Sequence, residues 1–346
     1  GGFYYKIGNF EYELEQYKLL GFQNKKDSDK WLIFADNLRK EGQFDLSIKS
    51  HHYMLENLDQ SNPQVVGKIL LGLGKSYEDQ IIKKQSNLKF VKWFPENHFF
   101  SNHFIYAPDI DNAPLANSLE HYQSLLALLP NNRTTATVHY RLAQIQSRIM
   151  RDFVGAKSSY ETALNTNPSS QLRELIHSDI GKLYIYDGKY GEAKSYFRPE
   201  KNEKINIRTI EYVNSLLYGL EIDSAMTYLD EIILNVDTNH KYFNDLFELH
   251  DLIANYYVDG TKDDKSAFKA FFNAESLINE YKIKEAVEVL EMIRLNYSDS
   301  LIYPIVTLRL AFISIDLMQY EKSIQYALAI EETSLKDRGL TLAAEI

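Results

Sequence analysis

Small, aromatic and aliphatic residues recur along this chain in a paired helical pattern. The stretch from Glu174 to Phe197, ELIHSDIGKLYIYDGKYGEAKSYF, shows it most cleanly. His177, Ile180, Gly181 and Tyr184 recur at helical spacing, so a first helix is predicted there. Gly188 and Tyr190 mark a tight turn. Ala193 and Phe197 then share one face of a second helix. Gly181 and Ala193 suit a place where two helix backbones approach too closely for a large side chain. Tyr184, Tyr190 and Phe197 fill the space between them. Such a pattern is the signature of a helix–turn–helix repeat of about 34 residues.

The same pattern recurs in both directions. Gly1, Tyr4, Gly8 and Phe10 match the end of a first helix and its turn, and GNFEYELEQYKLL reads as the second helix. Trp31, Phe34, Ala35 and Leu38 lead to Gly42 and Phe44, then to Ser47 and His51. Pro63 opens the next first helix, where a proline is tolerated, with Leu70, Leu73, Gly74 and Tyr77 in register. Its second helix is marked by Ser118 and Tyr122 and ends at Pro130. A further copy holds Leu142, Ala143, Phe153, Ala156, Tyr160 and Ala163 and closes at Pro168. Beyond the organising stretch, Tyr212, Val213 and Leu216 pair with Ala225 and Leu229, with Leu220 in place of the turn glycine. From Asn244 the register loosens. FNDLFELHDLIANYYVDG and TKDDKSAFKAFFNAESLINEY are two helices, read as an irregular repeat or a spacer, and KIKEAVEVLEMI supplies a second helix with Ala286 and Leu290. Leu310, Ala311, Tyr320, Ser323 and Ala327 form a last copy, and LKDRGLTLAAEI reads as one more first helix. Both ends fall within repeats, which predicts that the chain is part of a longer array.

One segment interrupts the pattern. Between about Lys83 and Asn117 an insertion carries Trp93, Phe94, Phe99, Phe100, Phe104 and Tyr106, with Pro95, Pro108 and Pro114 blocking a long helix. Aromatics in that number do not stay in water. The insertion is therefore expected to fold back on the repeats as a lid or to meet a partner. His98, His103, Asp109 and Asp111 match no zinc or calcium loop. The adjacent His51 and His52 point about 100° apart on a helix, and His51 is read as an aromatic substitute in the packing.

Composition narrows the function classes. Hydrophobic residues at 45% and charged residues at 25% fit a folded chain. A net charge of −10 and the lack of a basic stripe argue against nucleic acid. No run of apolar residues approaches the length of about 20 that spans a bilayer. The chain has no cysteine, so thiolate chemistry and disulfides are excluded. No phosphate loop, G-x-S-x-G elbow or H-E-x-x-H sequence is present, and no cofactor or metal is expected. The sequence points to a binding protein and not to an enzyme.

The repeats resemble the tetratricopeptide repeat (TPR) family over nearly the whole chain. That resemblance implies an all-α, right-handed superhelical solenoid of about eight to nine hairpins, a single array over residues 1–346. It also implies that the first helices line a concave groove. The residue after the small position, with those four before it and three after it, shares one helical stripe. This places Leu32, Asp36 and Arg39, Lys75 and Glu78, Tyr140, Gln144 and Ser147, Ser178, Lys182 and Ile185, and Ile210, Asn214 and Leu217 on it. Asp36, Arg39, Lys75, Tyr140, Gln144, Lys182 and Asn214 are the groove candidates, and the six insertion aromatics are the others. The stripe lacks the lysine–asparagine–arginine set with which some co-chaperone TPRs clamp a C-terminal carboxylate. The C-terminal third, with its linker YSDS before a first helix, resembles TPR proteins of the bacterial envelope, implying a periplasmic or outer-membrane-associated place. A scaffold in a multiprotein assembly is the expected function. An adaptor that captures an extended or helical peptide in the groove is the alternative.

Overall fold

Helix starts are set by residues that satisfy the free N–H groups of a first turn. Asn132, Asn206 and Thr261 each open a helix through a reciprocal capping box, with Thr135, Thr209 and Asp264 respectively returning the bond. The computed structural model describes residues 8–22, 25–58, 61–83, 112–199, 204–330 and 335–346, and these contain helices and no strand. In chain order they form α1 (Phe10–Leu20), α2 (Lys25–Lys40), α3 (Phe44–Asn57), α4 (Pro63–Lys83), α5 (Asn112–Leu128) and α6 (Arg133–Ile145). There follow α7 (Phe153–Asn165), α8 (Ser170–Tyr186), α9 (Tyr190–Phe197), α10 (Ile207–Tyr218), α11 (Ile222–Ile233) and α12 (Phe243–Ile253). The last are α13 (Lys262–Asn279), α14 (Ile283–Asn296), α15 (Tyr303–Asp316), α16 (Tyr320–Leu328) and α17 (Lys336–Glu345). Short π-helical turns extend α6 over Gln146–Met150 and α12 over Ala254–Val258.

The tight hairpins α2–α3, α8–α9, α10–α11, α13–α14 and α15–α16 share one turn. In the second of these, Gly188 N–H donates to Ile185 O at 3.0 Å and Lys189 N–H to Tyr184 O at 2.8 Å. This paired closure of a helix end requires a left-handed residue between the two helices. Gly42 and Gly188 supply it at φ 78° and 68°. In the other three turns the residue is Leu220, Tyr281 or Met318, at φ 58°, 65° and 57°. The missing glycine at Leu220 therefore leaves the turn unchanged.

The two helices of a hairpin meet at a small residue. A Cβ built on Gly181 would lie 2.2 Å from Phe197 Cζ, and one on Gly74 would lie 2.3 Å from the Tyr122 ring. Close approach also brings a second-helix hydroxyl to a first-helix carbonyl. Ser47 Oγ donates to Ala35 O and Ser323 Oγ to Ala311 O, both at 2.8 Å and both twelve residues apart. Ser118 Oγ donates to Gly74 O at 3.0 Å across 44 residues, so α4 and α5 are one hairpin interrupted between its helices. α5 starts at Asn112, so residues 112–117 are helical instead of part of the insertion. Pro114 lies in that first turn, where its missing N–H has no helical partner to lose. The rest of the insertion, including all six aromatic candidates, His98, His103, Asp109 and Asp111, lies outside the described residues.

The described chain divides into two compact units, one of residues 8–83 and 112–176 and one of residues 177–346. Trp31, Phe34, Leu38, Met54 and Leu73 centre one core of the first unit, and Tyr122, Leu125 and Val138 centre another. His51 is read correctly as a packing residue. It is 2% exposed against Gly72, with Nδ1 2.8 Å from Ser47 O, and burial pushes its pKa down to about 4. The second unit has one continuous core from Ile185 to Leu342, rich in Phe268, Phe271 and Phe272. Within it α12 packs on α11, while α13 takes the place beside α10 of the next first helix. The segment 243–258 is thus an added helix between two regular hairpins. Complete hairpins among the described residues are α2–α3, α4–α5, α6–α7, α8–α9, α10–α11, α13–α14 and α15–α16. No described helix is long and apolar enough to cross a membrane.

Two substitutions test this packing by equilibrium urea unfolding. Gly181→Ala drives a methyl into Phe197 and is expected to cost about 1–3 kcal/mol. Met318→Gly removes a left-handed non-glycine residue that is 48% exposed. It is expected to raise stability by about 1 kcal/mol. A destabilised Met318→Gly variant would contradict the assigned turn.

Candidate functional site

The groove candidates all lie on first helices, and the structure shows what their charges meet. In the first unit, α2, α4 and α6 lie side by side. Arg39 on α2 holds Asp36 on its own helix at 2.7 Å and reaches across to Asp79 on α4. Burial alone would raise the Asp36 carboxyl, but hydrogen bonds and charge from Lys40 and Arg39 hold it below the usual range. Arg141 on α6 pairs with Glu78 on α4 at 2.9 Å. Tyr122 of α5 donates to the same Glu78 carboxylate at 2.8 Å and accepts from Arg141 Nε at 2.9 Å. Glu78 is 3% exposed and Tyr122 is fully buried, so this triad is an internal network and not a solvent-facing pair. Burial and the adjacent Glu78 carboxylate raise the Tyr122 hydroxyl well above its ordinary pKa, keeping it a donor.

Lys75 sits between these two networks on α4. Among the described residues it makes no hydrogen bond or ion pair. Burial lowers its pKa, as do the guanidinium groups of Arg141 and Arg39, against the opposing pull of Asp36 and Glu78. Tyr140 and Gln144, one turn apart on α6, are joined by a 2.9 Å bond from Gln144 Nε2 to Tyr140 Oη. Tyr140 also rests on the Tyr160 ring at 5.8 Å.

In the second unit, Lys182 on α8 pairs with Glu211 on α10 at 3.0 Å and lies 3.9 Å from Asp179. Burial works against the lysine charge, but these two carboxylates outweigh it and raise the pKa. Asn214 Nδ2 donates to Glu211 Oε2 at 3.3 Å, leaving Asn214 Oδ1 buried without a partner, as is Ser178 Oγ. Further along, Arg309 on α15 grips Glu275 on α13 with two bonds of 2.6 and 2.7 Å, and both side chains are buried. The Asp316 carboxyl on α15 is raised to about 6 by burial, against the pull of Arg309.

Sequence reasoning did not single out Asp79, Arg141, Glu211, Glu275 and Arg309. Glu275 and Arg309 are 34 residues apart, one repeat length, and that recurrence was the available signal. The arrangement links neighbouring first helices through opposite charges, and Lys75, Tyr140 and Gln144 are half-buried in the same unit outside those pairs. Among the described residues no cluster of His, Asp or Glu is arranged to hold a metal ion.

Arg309→Met strands the buried Glu275 carboxylate and is expected to cost about 3–5 kcal/mol in urea unfolding. Adding Glu275→Leu should recover most of that loss. Equal stability of the single variant and the parent would show that the pair is not buried in solution.

These hairpins are TPR-like in their turn, their small residue and their aromatic partner. No family model matches the chain. Periplasmic acid trehalase of Saccharomyces cerevisiae is 24% identical over 46% of this chain, which spans 17% of that protein's own length. Among solved structures, the C-terminal part of a TPR repeat-containing protein from Cytophaga hutchinsonii is similar at a TM-score of 0.41 and 12% identity, covering 90% of this chain and 98% of that one. The TPR domain of P58(IPK) is similar at a TM-score of 0.24 and 13% identity, covering 92% and 87%.

Proposed function

We propose that this chain is a non-catalytic scaffold that holds protein partners in a multiprotein assembly. The observation that carries the reading is the engagement of first-helix charges with one another. Arg39, Arg141, Lys182 and Arg309 are tied to carboxylates on neighbouring first helices. Side chains held in this way give a stiff face and few free anchors for a short peptide. Large apolar side chains are exposed elsewhere, with Leu19, Leu234 and Leu295 at least 80% exposed, which suits contact over extended surfaces. The insertion aromatics, Trp93, Phe94, Phe99, Phe100, Phe104 and Tyr106, are the proposed second contact. The YSDS linker supports a place in the bacterial envelope.

The second reading, a peptide adaptor, is favoured by the unpaired Lys75 with Tyr140 and Gln144 nearby in the same row of first helices. Gentle purification of the protein from its source separates the two. The scaffold reading expects a partner at fixed stoichiometry, and deletion of residues 86–110 with a short Gly/Ser join should abolish that complex while leaving the melting temperature within a few degrees. Micromolar binding of short peptides, lost in Lys75→Gln and with no stable complex, would establish the adaptor instead.

A further inference from the structure

The added helix α12 ends in a π turn that packs against the start of α13. π turns inside helices occur frequently at functional sites. This one, Ala254–Val258, presents Tyr257 to the first turns of α13. Tyr257, Gly260, Lys262, Lys265, Ser266 and Lys269 line a cavity of about 340 Å³. Lys265 Nζ lies 5.9 Å and Lys269 Nζ 5.5 Å from the centre of the Tyr257 ring.

The three lysines fall on one stripe of α13, at the spacing of side chains that share a helix face. Asp263 and Asp264 follow about 100° and 200° round the helix from Lys262, off that stripe. Asp264 is already engaged, accepting from Thr261 N–H and Oγ1 at 2.9 and 2.7 Å and from Leu301 N–H at 2.8 Å. Among the described residues none of the three lysines has a carboxylate partner, in a chain with 48 acidic and 38 basic residues. The placement is also electrostatically unfavourable for the helix itself. Like charges three and four residues apart repel, although Asp263 and Asp264 complement the dipole in the first turn. Local conflicts of this kind are tolerated where a site needs them. The aromatic wall stabilises the cations through its π face, at the upper end of the useful distance, and leaves their N–H groups free for an anion.

We propose that this cavity is a docking site for an acidic segment of a protein partner, with carboxylates on Lys265 and Lys269 and a further one on Lys262. The inference rests on the reading of the chain as a protein scaffold and names where and by what chemistry one partner is held. The stripe from Lys262 to Lys269 is about 10 Å long, the span of about three residues of an extended chain. A segment with acidic residues at that separation matches it, and the charge of the rest of the chain repels a long polyanion such as nucleic acid.

The test is fluorescence anisotropy of fluorescein-labelled hexaglutamate with the full chain in about 20 mM NaCl, where surface charges are least screened. Lys265→Gln/Lys269→Gln should weaken binding about tenfold, and the exposed Lys284→Gln/Lys322→Gln control should stay within about twofold of the parent. Should the double variant melt early, Lys262→Gln alone, at an exposed position, should still weaken binding about threefold. Equal loss in the control, or no loss in either variant, overturns the site. Loss of binding to phosphatidylserine vesicles in these variants, with hexaglutamate binding intact, would assign the lysines to a membrane surface and also overturn it. A stoichiometric partner recovered from the source together with a negative hexaglutamate result would reject this site and leave the scaffold reading standing.

Discussion

Each hairpin depends on the close approach of two helix backbones at one small residue. At Gly74 and Gly181 the partner ring occupies the volume a methyl would need. At Ala35, Gly74 and Ala311 the approach is close enough for a serine on the second helix to reach the first-helix carbonyl. Such a bond satisfies an additional lone pair in a dry seam, where leaving a donor unmade is costly. The approach also sets how far the aromatic at the next turn of the second helix must extend. Phe197 and Tyr122 fill that distance, and His51 fills a related one against Gly72. A hairpin cannot bury its remaining apolar face alone, so hairpins stack within each unit.

Stacking brings first helices side by side, and their charged residues then decide what the exposed face can do. Arg39 with Asp79, Arg141 with Glu78, Lys182 with Glu211 and Arg309 with Glu275 join consecutive first helices. Buried pairs of this sort are weak contributors to net stability but strongly penalise any arrangement that separates them. They fix the relation of neighbours within a unit and withdraw cations from the surface. Two places where the regular pattern breaks carry lysines without a carboxylate partner among the described residues. Lys75 lies in the hairpin that is interrupted by the insertion, and the lysines of α13 follow the added helix 243–258.

Much of the architecture is legible in the sequence because the interlock demands particular residue sizes at fixed spacing. Gly181 with Phe197 and Ala311 with Ser323 can be read that way, and both meet as the spacing implies. Glycine is a poorer guide to the turns. Leu220, Tyr281 and Met318 adopt the left-handed conformation because the helices on either side stabilise it, so tertiary packing overrides local preference. The start of α5 was hidden because Pro114 reads as a helix breaker, although a first turn accepts it. The site was less legible than the fold. Stripe arithmetic finds Asp36, Arg39, Lys75 and Lys182, but an isolated charge does not reveal its partner on the next repeat. Glu275 and Arg309 look like surface residues until the fold places them in contact. The lysine stripe was missed because a net charge of −10 conceals a local excess of cations.

A double-mutant cycle on Gly74 and Tyr122 tests the interlock most directly, because the two residues are joined across the interruption. Gly74→Ala, Tyr122→Leu and the double variant would be compared with the parent by urea unfolding. If the methyl is excluded only by the tyrosine ring, the double variant is more stable than the sum of the single losses predicts, by about 1 kcal/mol or more. Additive losses would mean that Gly74 and Tyr122 do not meet, and that α4 and α5 are not the two halves of one hairpin.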